Sequence, residues 1–181
     1  LLGFALFAAS NFMNTGLSLD YAEPQLLWPN LVRALGQPLV MVPLSAIAGA
    51  GIEVENAGSA SGLFNMTRNL GGAIGIALLG TLLTKREQFH SNVLTQSVSL
   101  FNEATRQRLA ALTNYFLTHG ISDLGTAKHE AVVAVGRIVR KQATVMAYSD
   151  AFMVMGVALV LSFVLALALK KSGPVSAGEA H

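Results

Sequence analysis

The 181-residue chain has no cysteine, which removes disulfide frameworks, thiolate nucleophiles and cysteine metal ligands together and leaves the redox compartment open. Charge is scarce as well: 12% of residues are Asp, Glu, Lys or Arg, about half the share found in soluble domains. The net charge of +2 says little about partners, and no nucleic-acid partner is expected. Enzyme signatures are missing too. There is no GxSxG elbow, no P-loop and no acidic pair inside an apolar segment. His90, His119, His129 and His181 show no metal-ligand spacing and read as solvated loop or tail residues. No catalytic residue, metal site or cofactor is therefore expected.

What is present is apolar surface. Hydrophobic residues make up 52% of the chain, mean hydropathy is +0.53, and four charge-poor blocks of about 19 residues could each cross a ~30 Å hydrocarbon core as a helix. The expected fold is all-α, an integral membrane bundle of four transmembrane helices plus an external amphipathic helical hairpin. Three spans fall at about 1–19, 30–52 and 63–83, a helical insertion occupies 84–149, the last span is 150–171, and 172–181 form a flexible tail. The chain opens on Leu1 inside an apolar run, without an initiator methionine or basic leader, so it reads as a fragment rather than a signal peptide and mature domain.

In the first block Asn11, Asn14 and Ser18 recur three and four residues apart, with Ser10 beside them. They share one helical face. Amides facing lipid would lack partners, so this face should look at a neighbouring helix or a wet cavity; interhelical hydrogen bonding without a ligand is the alternative. Trp28 suits a membrane interface, and Arg33, about one turn further in, can snorkel to the headgroups. The block from Ala34 to Ile52 is uncharged and carries Gln37 among Gly36, Pro38, Pro43, Gly49 and Gly51, which predicts a helix kinked where proline removes a backbone bond.

Gly58 to Leu83 reads GSASGLFNMTRNLGGAIGIALLGTLL. Glycine costs roughly 1 kcal/mol per position in an exposed helix, so Gly71, Gly72, Gly75 and Gly80 need a compensating gain, which in lipid is close backbone approach between helices. Gly58 and Gly62 extend the small-residue pattern. Arg68 and Lys85 bracket 16 uncharged residues, about 24 Å of helix, which puts Arg68 at the membrane edge or against protein. The GxGxxG spacing of dinucleotide sites is absent. Asn65-Met66-Thr67 spells a glycosylation sequon, but at the start of a membrane helix it is a poor acceptor.

Lys85 to Asp150 holds eight of the 12 basic residues. Its length exceeds the loops to which positive-inside counting applies. Leu94, Val98, Phe101, Leu109, Leu112 and Phe116 recur at helical spacing, as do Val132, Val135, Ile138, Val139 and Val145, with Gly120 and Gly125 between the runs. That pattern predicts an amphipathic hairpin whose apolar faces pack on each other, lie on the membrane or meet a partner. Lys170 and Lys171 after the last span predict a cytoplasmic C-terminus, and Lys85 and Arg86 at the other end of the third span weigh against it.

The stretches WPNLVRALGQPLVMVPLSAIAGAGI, GSASGLFNMTRNLGGAIGIALLGTLL and DAFMVMGVALVL resemble the C-terminal end of the fourteen-span drug:proton antiporters of the major facilitator superfamily, the EmrB/QacA type. The link Ile52-Glu53-Val54-Glu55 departs from the proline common there. The resemblance implies four of fourteen spans in the inner membrane of a bacterium and export of small amphiphilic compounds against proton entry by alternating access. It also implies that the proton-coupling residues lie upstream of Leu1. Asn11, Asn14, Ser18, Gln37 and Asn65 would then line the substrate cavity, Arg68 would mark the cytoplasmic rim, and Gly58, Gly62, Gly71, Gly72, Gly75 and Gly80 would pack helices. The competing reading is a four-span membrane anchor whose external hairpin docks a partner such as a periplasmic adaptor protein.

Overall fold

A computed structural model describes residues 1–19, 23–49, 52, 56–99 and 101–169. The Glu53/Glu55 link, Lys170, Lys171, His181 and the 172–181 tail lie outside these residues. Among the described residues five helices follow one another: α1 Leu2–Met13, α2 Glu23–Gly49, α3 Ala57–Ser97, α4 Glu103–Thr118 and α5 Leu124–Leu169. The described residues are thus all-α.

Three of the helices, α2, α3 and α5, are long and apolar enough to cross a membrane. The expected first span is shorter than its block of sequence. Helix α1 has 12 residues, about 18 Å of rise against a ~30 Å core. It stops because its own polar side chains and a tightened turn take over the terminal carbonyls. Ser10 Oγ and Asn11 Nδ2 both donate to the Phe7 carbonyl at 2.8 Å, and the Asn14 and Thr15 amides donate three residues back to Asn11 and Phe12. Such local bonds compete with the helix ladder and close it off.

The third span, in contrast, overruns its expected end. Helix α3 is 41 residues long, about 60 Å of rise, and continues through the charged stretch Lys85–Glu87. Nothing stops it: no Gly or Pro occurs between Thr81 and Ser97, and charged residues are good helix formers. Helix α5 begins at Leu124, far ahead of the apolar run at 151–169, and extends 46 residues. The polar insertion is therefore not a free-standing hairpin; its two ends are continuations of the spanning helices, and α4 alone is separate. The helical reversal occurs at Gly120, whose φ of +106° is one that glycine adopts without strain. Gly125, expected in the same turn, lies inside α5. Asn102 caps α4 through Oδ1 to the Ala104 amide at 2.9 Å, and Asp123 does the same for α5 through Oδ2 to the Thr126 amide at 2.7 Å, both supplying acceptors for otherwise unbonded first-turn donors. Helix α2 remains helical across Pro29, Pro38 and Pro43, as membrane helices do where the freed groups find other partners.

The chain divides into two compact units. The first comprises Leu1–Gly16, Ala22–Ile74 and Phe152–His181, and the second Leu17–Tyr21 and Gly75–Ala151. In the first, α1 packs on α2 through small residues, with Gly3 backed against Leu39 and Gly36 against Phe7 and Leu6. In the second, the buried residues are alanines, Ala127, Ala131, Ala143, Ala147 and Ala151. They fall in two groups at four-residue spacing on α5, Ala127 with Ala131 and Ala143 with Ala147 and Ala151, each without bulk to hold a neighbouring helix away.

Candidate functional site

In the first unit the polar face of α1 turns inward. Ser10, Asn11 and Asn14 are buried, at 1%, 5% and 9% exposure. Their donors are spent on their own helix: besides the bonds to Phe7, Asn14 Nδ2 donates to the Ser10 carbonyl at 3.1 Å. Asn14 Oδ1 is buried and has no hydrogen-bond partner, a state that costs about 1–3 kcal/mol when the acceptor stays unmatched. Ser18, expected on the same face, lies past the end of α1, is exposed, and belongs to the other unit. Gln37 is exposed on α2.

Asn65 and Arg68 are brought together. They line a cavity of about 370 Å³ with Ser45, Ser61 and Phe64, where the end of α2 faces the start of α3. Its wall mixes a guanidinium, an amide and two hydroxyls with apolar surface, so it can accept hydrogen-bonding groups on an otherwise greasy solute. The expected cavity residues are thus split between places: Asn11 and Asn14 in the helix contact, Asn65 with Arg68 in this cavity, Gln37 and Ser18 on exposed surface.

The expected packing glycines stand in open space. A Cβ added at Gly58, Gly62, Gly71, Gly72, Gly75 or Gly80 would meet nothing within 4 Å, and none of the described residues of α3 is buried. Close contacts occur instead at glycines the pattern did not single out for packing. An added Cβ at Gly3 would lie 2.8 Å from Leu39, at Gly36 2.8 Å from the Phe7 nitrogen, and at Gly156 3.0 Å from the Phe12 ring. By sequence Gly36 stands out only as one of the Gly and Pro residues that interrupt an uncharged block. The signal available was its place in an apolar block free of charge, where a missing side chain is better explained by a neighbouring helix than by a turn.

A larger apolar cavity of about 670 Å³ opens in the first unit among α1, α2 and α5, lined by Phe4, Leu39, Pro43, Ile47, Ser162 and Leu165 among others. Its one polar lining side chain, the Ser162 hydroxyl, already donates to the Ala158 carbonyl at 2.8 Å. Such a wall binds by apolar area and shape, without a charge to select a particular head group.

The second unit holds the polar cluster that the sequence pattern missed. His90 Nε2 lies 2.7 Å from Asp150 Oδ2, and Arg86 Nε approaches the same oxygen at 3.5 Å. Arg140 Nε reaches Glu87 Oε1 at 3.5 Å. Far from being solvated, the His90 side chain is 13% exposed. The available clue was Arg86-x₃-His90, two basic groups on one helical face, but their acid lies 60 positions away. At the opposite end of this unit, Asp123 is held below its ordinary carboxylate range by hydrogen bonds from the Thr126 amide and hydroxyl. No group of three or more metal-ligating side chains occurs among the described residues.

No protein-family model matches the chain, and no solved structure matches it. Among curated proteins, 27% identity over 150 residues relates it to the colistin resistance protein EmrB of Acinetobacter baumannii, covering 82% of this chain and 28% of that protein. The multidrug export protein EmrB of Escherichia coli K12 is 29% identical over 135 residues, 74% of this chain and 25% of the relative. The fatty acid resistance protein FarB of Neisseria gonorrhoeae is 24% identical over 120 residues, 66% and 23% of the two chains. The chain spans about a quarter of the length of the curated relatives it matches. Those relatives are resistance and export proteins rather than enzymes, and over the stretch compared this membrane chain is homologous to the EmrB, EmrY and FarB group of major-facilitator multidrug efflux proteins.

Proposed function

We propose that the chain is the C-terminal part of a proton-driven multidrug transporter, multi-pass in a bacterial inner membrane with its C-terminus cytoplasmic, that exports amphiphilic compounds by alternating access. The observation that carries this reading is the apolar cavity among α1, α2 and α5, about 670 Å³, within the range of small-molecule sites, in a chain whose relatives bear export and resistance names. A pocket with no charged lining admits solutes by apolar area, which suits a broad range of amphiphiles. Its placement among helices is where rocking bundles expose a site alternately to either side.

In the complete protein, drug-like amphiphiles, protons and membrane lipid are then the partners. Asn11, Asn14, Ser18, Gln37 and Asn65 supply polarity to the transport pathway, Arg68 stands at the cytoplasmic rim, and Gly58, Gly62, Gly71, Gly72, Gly75 and Gly80 meet spans from the remainder of the protein. The test is uptake of a fluorescent amphiphile by the complete protein in proteoliposomes carrying a proton gradient. Gradient-dependent accumulation is expected, and Asn11→Leu with Asn14→Leu should change which compounds move at equal expression. No gradient dependence would overturn the transport reading, and an unchanged compound profile would overturn the role of the two amides.

One observation favours a second reading, in which the polar insertion docks a partner protein such as a periplasmic adaptor. Phe101, between α3 and α4, is 98% exposed, an aromatic left entirely uncovered in a segment without the apolar length to enter lipid. Deleting 94–145 should abolish co-purification of such a partner, and retention of the partner would exclude this reading.

A further inference from the structure

The polar cluster of the second unit does something that apolar packing cannot. Alanine stripes let helices approach closely but hold them only weakly, since each methyl buries little area. Between α3 and α5 the directional contacts are ionic: Asp150 on α5 takes His90 and Arg86 from α3, and Arg140 on α5 takes Glu87. Arg86 and His90 are one turn apart on the same face, and both address a single oxygen, Asp150 Oδ2. The imidazole is the closer of the two and the better shielded, with 13% of its side chain exposed against 46% for Arg86.

We propose that His90, Asp150 and Arg86 form a proton-binding clasp between α3 and α5, in which protonation of His90 decides which cation holds Asp150. With a neutral imidazole, Nε2–H donates to the ionised carboxylate, a bond the acceptor's charge already assists, and Arg86 is the full positive charge at Asp150 Oδ2. Adding a proton turns both ring nitrogens into donors and converts the 2.7 Å contact into an ion pair between two full charges. Arg86, at 3.5 Å and half exposed, then yields to water, which relieves the repulsion between two cations on one carboxylate oxygen. As a residue type, histidine is the side chain that changes charge between about pH 5 and 8.

The other charged groups facing the clasp are few. Among the described residues they are Glu87 on α3 and Arg140 on α5, engaged with each other. Tyr148 lies on α5 beside them and is half exposed; Asp20 and Tyr21, grouped with this unit, lie outside the described residues. The Phe89 ring meets the imidazole edge-on at 5.4 Å. The clasp shares no residue with the proposed drug pathway, and its test requires no transport.

The test is amide hydrogen exchange on the intact full-length protein, corrected for the intrinsic pH dependence of exchange and read over 86–94 and 143–150. The expected result is a roughly three- to fivefold rise in protection between pH 7.5 and 5.5, the size of one ion pair that water still reaches. His90→Gln, which keeps a neutral donor near the same place, should reduce the change to less than twofold. Arg86→Gln removes the competitor and should enlarge it. Asp150→Asn should abolish it, and if that variant does not fold, the His90→Gln comparison decides. Protection that does not change with pH in the wild type, or a change that survives in His90→Gln, overturns the proposal.

Discussion

Placing a single methyl at Gly36 tests the contact on which the α1–α2 packing rests. An added Cβ would sit 2.8 Å from the Phe7 nitrogen, 3.1 Å from Leu6 Cβ and 3.2 Å from the Gly3 carbonyl oxygen. Ordinary non-bonded contact lies near 3.5–4.0 Å, and two of the three neighbours are backbone atoms of α1, which cannot rotate away. The helices must separate by several tenths of an ångström or tilt. Overpacking of this kind costs about 1–3 kcal/mol, and replacing glycine by alanine in a helix returns at most about 1 kcal/mol. Gly36→Ala should therefore destabilise the complete protein by about 1–2 kcal/mol. Gly156→Ala is the graded control, because its neighbour is the outer end of the Phe12 ring at 3.0 Å, which can shift its rotamer for about 0.5–1.5 kcal/mol. Gly136→Ala, with nothing within 4 Å, should be neutral or stabilising. The assay is reversible unfolding in mixed micelles by added denaturing detergent, with the three variants ranked by midpoint. Gly36→Ala as stable as Gly136→Ala would refute the contact.

Three further outcomes follow. Gly75→Leu in the complete protein should impair folding or export more than Arg68→Lys if, as proposed, the open face of α3 meets other spans there, and equal expression and export for both would refute it. Ala166→Phe, at the wall of the 670 Å³ cavity, should lower export of the bulkiest substrates first while leaving expression unchanged, and uniform export across substrate sizes would count against that cavity. Asp123 has a folded pKa below its ordinary value of 3.8, so its contribution to the first turn of α5 is present above about pH 4 and is lost as pH falls through the lower folded value. Exchange protection of the Thr126 amide should accordingly drop in acid in the wild type and hold steady in Asp123→Asn, which still caps but does not titrate; an acid-insensitive wild type would refute this.

The stretch Gly58–Leu83 shows how far pattern reading reaches. Its apolar run and missing charges were enough to place a membrane helix, and α3 occupies that position. The helix itself continues past the expected span end through Lys85, Arg86 and Glu87, because helix continuation depends on backbone hydrogen bonds that those side chains do not disturb. At the other extreme, Asn11 and Asn14 were legible as one face, and they are buried together. Their spacing could not reveal that they would bond their own helix and end it at Met13. Ser18 dropped off that face for the same reason, since three- and four-residue spacing has meaning only while the helix continues.

By itself, the sequence determined that this is an all-helical membrane chain without cysteine chemistry, metal spacing or catalytic motif, because hydropathy, length and composition are properties of local segments that need no partner to be read. Only the tertiary structure decided which glycines are pressed against a neighbour, which cavity is apolar, and that His90 reaches Asp150 across 60 residues. Those facts depend on which faces of separate helices meet. Helix rotation and register are set by packing among many nearly equivalent apolar surfaces, and no single segment records them.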